Sequence, residues 1–212
     1  ALSSSKSLVF TIVAGTLYHV VLGAAQFEVI WAVEDKGFNP NTFGQINGWI
    51  FVVFGVLGSL FGGIASDWTL RKYNLPRTWF LLILTLLFMP LAFTRYLDTD
   101  SILFWVGICS SAFSLGCFYG PVFAVIQELV PPTIKGTVVA FNLLCLNMLG
   151  IALGSILFGI LADYAVTQGY ENPYTNLLVG FSCVFLVFGP ILYYLAGRFY
   201  EQDKKALIEK FN

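Results

Sequence analysis

Long apolar runs, broken by short polar or Pro/Gly-containing segments, recur six times along the chain, at roughly Leu8 to Val33, Thr42 to Ser66, Thr78 to Leu97, Ser101 to Leu129, Gly136 to Tyr164 and Asn176 to Gly197. A helix that crosses bilayer hydrocarbon needs about 20 predominantly apolar residues. Each run is therefore long enough to span. The breaks read EDKGFNPN, DWTLRKYNLPR, DTD, VPPTIK and AVTQGYENPYT, and their Pro, Gly, Asn and Asp content is what turns at a membrane surface require. The pattern predicts an all-α membrane protein of six transmembrane helices, with no linker long enough to hold a soluble domain.

Composition excludes the soluble alternative. Hydrophobic residues are 58% of the 212 and charged residues 11%, against about 45–50% and about 25% in soluble domains. The four cysteines, Cys109, Cys117, Cys145 and Cys183, all lie inside apolar runs, where a thiol behaves as a small hydrophobe. They suggest neither a disulfide nor a metal site. No cofactor and no nucleic-acid partner is expected; the bilayer is the expected surrounding.

Charge distribution sets the expected orientation, because cytoplasmic loops carry the excess of Lys and Arg. Lys6, Arg71, Lys72, Arg77, Lys135, Arg198, Lys204, Lys205 and Lys210 fall on one side, and Lys36 and Arg95 on the other. Both termini are expected in the cytoplasm. Glu34, Asp35, Asp98, Asp100, Asp163 and Glu171 collect on the outer side, with Trp49, Trp79 and Trp105 near span ends as interfacial aromatics. The tail RFYEQDKKALIEKFN places Phe199, Leu207, Ile208 and Phe211 among charges. It reads equally as a short helix lying on the inner surface or as a solvated tail.

Sliding the sequence on itself by 96 residues brings Gly58, Ser59, Gly63, Ile64, Asp67 and Trp68 onto Gly154, Ser155, Gly159, Ile160, Asp163 and Tyr164. Phe27, Val29 and Ile30 fall on Phe123, Val125 and Ile126. An offset of three spans inverts the second copy in the membrane, the build of many secondary transporters. The expected organisation is a cytoplasmic lead-in over 1–7, three-helix repeats over 8–97 and 98–197, and a cytoplasmic tail over 198–212. Gly48, Gly55 and Gly62, the Gly58/Gly62 pair and the Gly150/Gly154 pair would let helix backbones approach closely.

The stretch Gly63-Ile-Ala-Ser-Asp67, followed by Arg71 and Lys72 in a short basic loop, resembles the loop motif of the major facilitator superfamily. The resemblance extends to Gly120-Pro121, to the VPPTIKGTVVAF junction and to LGIALGSILFGILAD. Trp68 stands where the family usually has a basic residue and Leu70 where it usually has Gly, so this copy of the motif is degraded. Within the superfamily the junction and fifth span look most like bacterial spinster-type and organic-anion-type members. The resemblance covers the chain as the carboxy-terminal six helices of a twelve-helix fold. It implies secondary transport of a small organic solute, an anion or amphiphile, by rocking against an amino-terminal six-helix half, in a bacterial inner membrane. It also implies that the chain is one piece of a longer protein, or that two six-helix pieces associate.

Polar side chains inside a bilayer are costly, so each is a functional candidate. On the first span Gly15, His19, Gly23 and Gln26 share a stripe, which the repeat maps onto Ser111, Leu115, Tyr119 and Val122. The resemblance places both helices beside the central cavity, making His19, Gln26, Ser111 and Tyr119 the expected solute-lining group; His19 reads equally as a hydrogen bond to a neighbouring helix. Tyr18, Val21, Ala25 and Glu28 lie along another face. Burial would penalise the ionised form of Glu28, which suits a proton carrier, unless it lies near enough to the outer surface to stay hydrated. Asn142 and Asn147 are further candidates that read equally as interhelical hydrogen-bond groups. Asp67 reads as a gate element at an inner helix end, facing the fifth span near Gly136 and Thr137, with Arg71 and Lys72 as its partners. The alternative is that these charges only set topology. A membrane enzyme would need clustered catalytic groups, and a channel would need a filter sequence, neither of which the chain displays; a non-transporting scaffold is the remaining alternative.

Overall fold

The computed structural model describes residues 5–211, and side chains over 5–209. Residues 1–4 of the expected lead-in, the final residue of the expected tail and the side chains of Lys210 and Phe211 lie outside it. The described chain is helical nearly throughout: α1 Lys6–Ala25, α2 Glu28–Glu34, α3 Pro40–Tyr73, α4 Arg77–Phe88, α5 Ile102–Leu129, α6 Lys135–Leu144, α7 Leu153–Thr167 and α8 Pro173–Phe211. Six segments are long and apolar enough to cross a membrane.

Local chemistry sets the ends. The Ser5 hydroxyl accepts from the Leu8 N–H to start α1, and Asn39 accepts from Asn41 and Thr42 ahead of Pro40 to start α3. Asn74, at φ 50°, closes α3 in the left-handed conformation that Asn tolerates.

Three of the spans are not continuous α-helix. The first breaks at Gln26 and Phe27, whose N–H groups turn back to the Gly23 and Ala24 carbonyls at 3.3 and 3.1 Å. The third passes from α4 into a 3-10 helix over Met89–Tyr96. Pro90 has no N–H to continue the α-helical ladder, and the tighter winding follows it. The fifth holds a π-helix over Cys145–Ala152, between α6 and α7, a form found mostly as short bulges.

Packing follows the repeat. α3 runs along α5, where a Cβ added at Gly58 would fall on the Phe113 backbone and one at Gly62 on that of Cys117; one at Gly116 would fall on Gly55 and Ser59. α7 crosses α1 in the same way: Gly154 lies against the Val20 backbone and Gly23 against Ile151 and Ser155. The 96-residue shift carries Gly58 to Gly154 and Val20 to Gly116, so one crossing is the inverted copy of the other. Tyr18 and Ser114 are themselves 96 residues apart, and their hydroxyls meet at 3.3 Å. Contact between residues that the repeat relates places its pseudo-two-fold axis between α1 and α5. The fold is thus an inverted three-plus-three repeat of six transmembrane helices.

Several sequence expectations need correction. Gly48 has open space where a Cβ would stand and meets no neighbouring helix, whereas Gly62 packs on Cys117 and Gly55, its own Cβ position open, is met by Gly116 of α5. The amide of Asn142 is fully buried without a hydrogen-bond partner, and that of Asn147 turns to Leu143 in its own helix, so neither links helices. The tail neither lies flat nor loosens: it continues α8 to Phe211. The Asp203 carboxylate accepts from the Ser5 hydroxyl at 2.9 Å and the Ser7 N–H at 2.7 Å, capping α1 from a neighbouring helix. Phe199 stacks on Phe10 and Tyr200 is buried, so packing holds the extension in place.

Candidate functional site

The break after α1 returns the chain to helix at Glu28, whose side chain points into the protein. Pro90 and the 3-10 winding bring Arg95 to meet it, and the guanidinium donates to the Glu28 carboxylate at 2.5 Å. Glu28 is 3% exposed and Arg95 6%, so both charges are out of water. Such a pair persists only when geometry and further hydrogen bonds offset its desolvation. Here Arg95 also reaches the Ser111 hydroxyl at 3.5 Å, its guanidinium lies 5.7 Å from the Trp31 ring centre, and the Asn47 amide approaches Glu28 at 3.5 Å. Trp31 is anchored in turn: its indole N–H donates to Thr175 at 2.7 Å, and the Thr175 N–H donates to Asp35 at 2.6 Å at the start of α8.

Beside the pair lies a narrow cavity of about 50 Å³, lined among others by Tyr18, Val21, Ala25 and Glu28. The face that the sequence assigned to those four residues is thus real. Arg95 was counted with the outer-side charges at the end of the third span, and the structure shows it instead as the buried partner of Glu28.

The expected solute-lining group divides. His19 and Tyr119 meet, with His19 Nε2 3.1 Å from the Tyr119 hydroxyl and Nδ1 2.9 Å from the Gly15 carbonyl. A carbonyl only accepts, so Nδ1 carries the proton and, in the neutral ring, Nε2 accepts from Tyr119. Ser111 sits apart from them, donating to the Gly107 carbonyl at 3.1 Å and facing Arg95. Gln26 is exposed at the helix break. Next to His19, Gly150 lets the π-helix close on α1: a Cβ there would collide with that of His19. Along the same two elements runs an apolar groove of about 460 Å³ between Val9, Val13, Val20, Phe141 and Leu149.

A second charged cluster occupies the end of the bundle where α3 finishes. Arg77 donates to Asp67 at 2.7 Å and, through its other terminal nitrogen, to Glu128; the Tyr200 hydroxyl donates to the other oxygen of Glu128. The cluster joins α3, α4, α5 and α8.

The chain matches the sequence pattern of the Major Facilitator Superfamily over residues 1–155. It belongs to the Major Facilitator Superfamily. Among solved structures, a bacterial homologue of the human lysosomal transporter Spinster, in its inward-facing and occupied conformation, superposes with a TM-score of 0.79 over 95% of this chain at 16% identity. The same homologue in its inward-facing and unoccupied conformation gives 0.73, also at 16% identity. At that identity the likeness is one of fold. The chain spans about half of those structures, 51% and 50% of their length. No curated protein sequence matches it.

Within this superfamily half, the loop motif is built differently from expectation. Asp67 pairs with Arg77 and not with Arg71 or Lys72, and α3 packs along α5, not against the start of the fifth span. Lys72 lies instead over the rings of Trp68 and Tyr73, at 4.8 and 5.4 Å. The degraded position of the motif explains this: Trp68 offers an aromatic face to the neighbouring cation. The sequence reading missed Arg77 and Glu128 as functional candidates, although each stands at the end of a span with an opposite charge in reach.

Proposed function

We propose that the complete protein is a secondary transporter that moves a small organic solute, an anion or amphiphile, by alternating access, with this chain as the carboxy-terminal half beside an amino-terminal six-helix half. The observation that carries the reading is the set of polar side chains buried in spanning helices, His19 with Tyr119 and Glu28 with Arg95, in a superfamily whose members are transporters and not enzymes. The inward-facing Spinster homologue, occupied and unoccupied, supports a site that loads and empties. In this reading His19, Tyr119 and Gln26 meet the solute, Ser111 joins through Arg95, and the apolar groove along α1 favours an amphiphile over a fully polar solute.

Glu28 is the proposed proton carrier. Only a group whose proton affinity differs between outward-open and inward-open states couples proton flow to solute movement. A carboxylate in the outer half of its span meets water in one state and is enclosed in the other. In vesicles holding the complete transporter, Glu28→Gln is expected to abolish accumulation driven by an imposed pH gradient while solute exchange without a gradient continues. Wild-type accumulation in that variant would return Glu28 to a structural role.

The excess of Lys and Arg on one side supports cytoplasmic termini in a bacterial inner membrane, with residues 8–97 and 98–197 as the two repeats. Single cysteines at Asn39 or Asn172 in a Cys-free background should react with an impermeant reagent from outside, and one at Asn74 should not. The reverse labelling pattern would invert the orientation.

A further inference from the structure

A proton on Glu28 would leave Arg95 as a buried cation without its counter-charge, because the guanidinium keeps its own proton. An uncompensated buried charge is among the costliest groups an interior can hold. What restores neutrality must come through the cavity beside the pair. Arg95 Nε is buried there without a hydrogen-bond partner, and the walls carry the hydroxyls of Tyr18, Ser111, Ser114 and Ser182, which now serve one another or the carbonyls of Gly107, Ser111 and Leu178 and would turn from them to an anion. A space of about 50 Å³ takes one or two water-sized bodies. It admits a halide.

Glu28 and Arg95 carry the only charges among the lining residues, and Tyr18 of α1 is the only other titratable group there. From α3, Asn47 faces Glu28; from α2, the Trp31 ring covers Arg95; α5 contributes Ser111 and Ser114 and α8 contributes Ser182. No second acid in that lining competes for Arg95.

We infer that Arg95 and the hydroxyls around it form a site for one small inorganic anion of chloride size, occupied when Glu28 is protonated. This rests on the proposed protonation of Glu28. The proton adds to the carboxylate, which loses its charge; the anion then supplies the negative charge beside the guanidinium, and the net charge of the site is unchanged. Linkage makes the effect reciprocal: chloride binds more tightly in acid, by up to about tenfold per pH unit, and Glu28 takes its proton more readily in chloride.

The test is the thermal unfolding midpoint of the complete transporter in lipid nanodiscs, with chloride against gluconate at equal ionic strength, at mildly acidic and mildly alkaline pH. Ligand binding to the folded state raises that midpoint. Chloride is expected to raise it in acid and not in alkali for the wild type, and at both pH values for Glu28→Gln. In the Glu28→Gln/Arg95→Gln double variant, which leaves no unpaired ion, chloride should have no effect. A wild-type response equal at both pH values, no response in Glu28→Gln, or a response that persists in the double variant overturns the site. If chloride does nothing while Glu28→Gln has lost gradient-driven accumulation, the anion site fails and proton coupling stands. If chloride acts as described while Glu28→Gln accumulates normally, coupling fails and the anion site stands.

Discussion

Arg95→Ala in the complete transporter is expected to lower stability by about 3–5 kcal/mol, the usual cost of breaking a buried pair from one side. Glu28 is 3% exposed in the wild type, and the variant leaves its carboxylate with the Asn47 amide at 3.5 Å as its one remaining hydrogen-bond partner. It also removes the planar group packed over Trp31, so lost packing adds to lost charge. Glu28→Gln/Arg95→Gln should recover most of the loss, because two neutral amides of similar shape can hydrogen-bond without a desolvated ion. Unfolding midpoints in nanodiscs measure both variants. If Arg95→Ala unfolds with the wild type, the pair is not the element that binds the outer parts of α2 and the third span together.

The six spans and the inverted repeat were legible because both are long-range regularities. Hydrophobic length reports spanning directly, and the 96-residue shift, read from glycines and two aspartates, survives as two equivalent helix crossings. What the sequence hid is local departure from α-helical winding. Counting residues along an ideal helix places Arg95 at an outer span end; the 3-10 segment after Pro90 instead delivers it to Glu28. A signal was present: an acid and a base at similar depth in two spans of one repeat, with a proline shortly before the base. The 96-residue shift carries them to Ala124 and Ile191, so the second repeat has no such pair and symmetry gave no hint. The tail was hidden for another reason. Its mixed charge pattern fits a solvated segment until Asp203 finds the free N–H groups of α1, which no pattern within the tail itself reveals.

The final expectation concerns the end of the bundle that holds Asp67, where the pairing found in the structure changes which variants matter. Asp67 is proposed as a gate element that favours closure of the cytoplasmic side. Its partner is Arg77, which also holds Glu128 and through it Tyr200, so the cluster ties the ends of α3, α4 and α5 to α8. Asp67→Asn and Arg77→Gln should therefore act alike, loosening those ends, shifting the population towards the inward-open state and slowing turnover, with solute affinity little changed. The Asp67 side chain is 48% exposed, so solvent screens its share of the attraction and about 1 kcal/mol is expected for Asp67→Asn. That is about a fivefold shift between states. Arg77→Gln should do more, because the Arg77 side chain is 11% exposed and its loss strips a cation from two carboxylates at once. Arg71→Ala and Lys72→Ala should leave the populations near wild type, since neither cation pairs with Asp67. Spin-label distances across the cytoplasmic side separate these outcomes. Distances unchanged in Arg77→Gln would remove the cluster from the gate, and a shift in Lys72→Ala as large as that in Asp67→Asn would return the role to the basic loop.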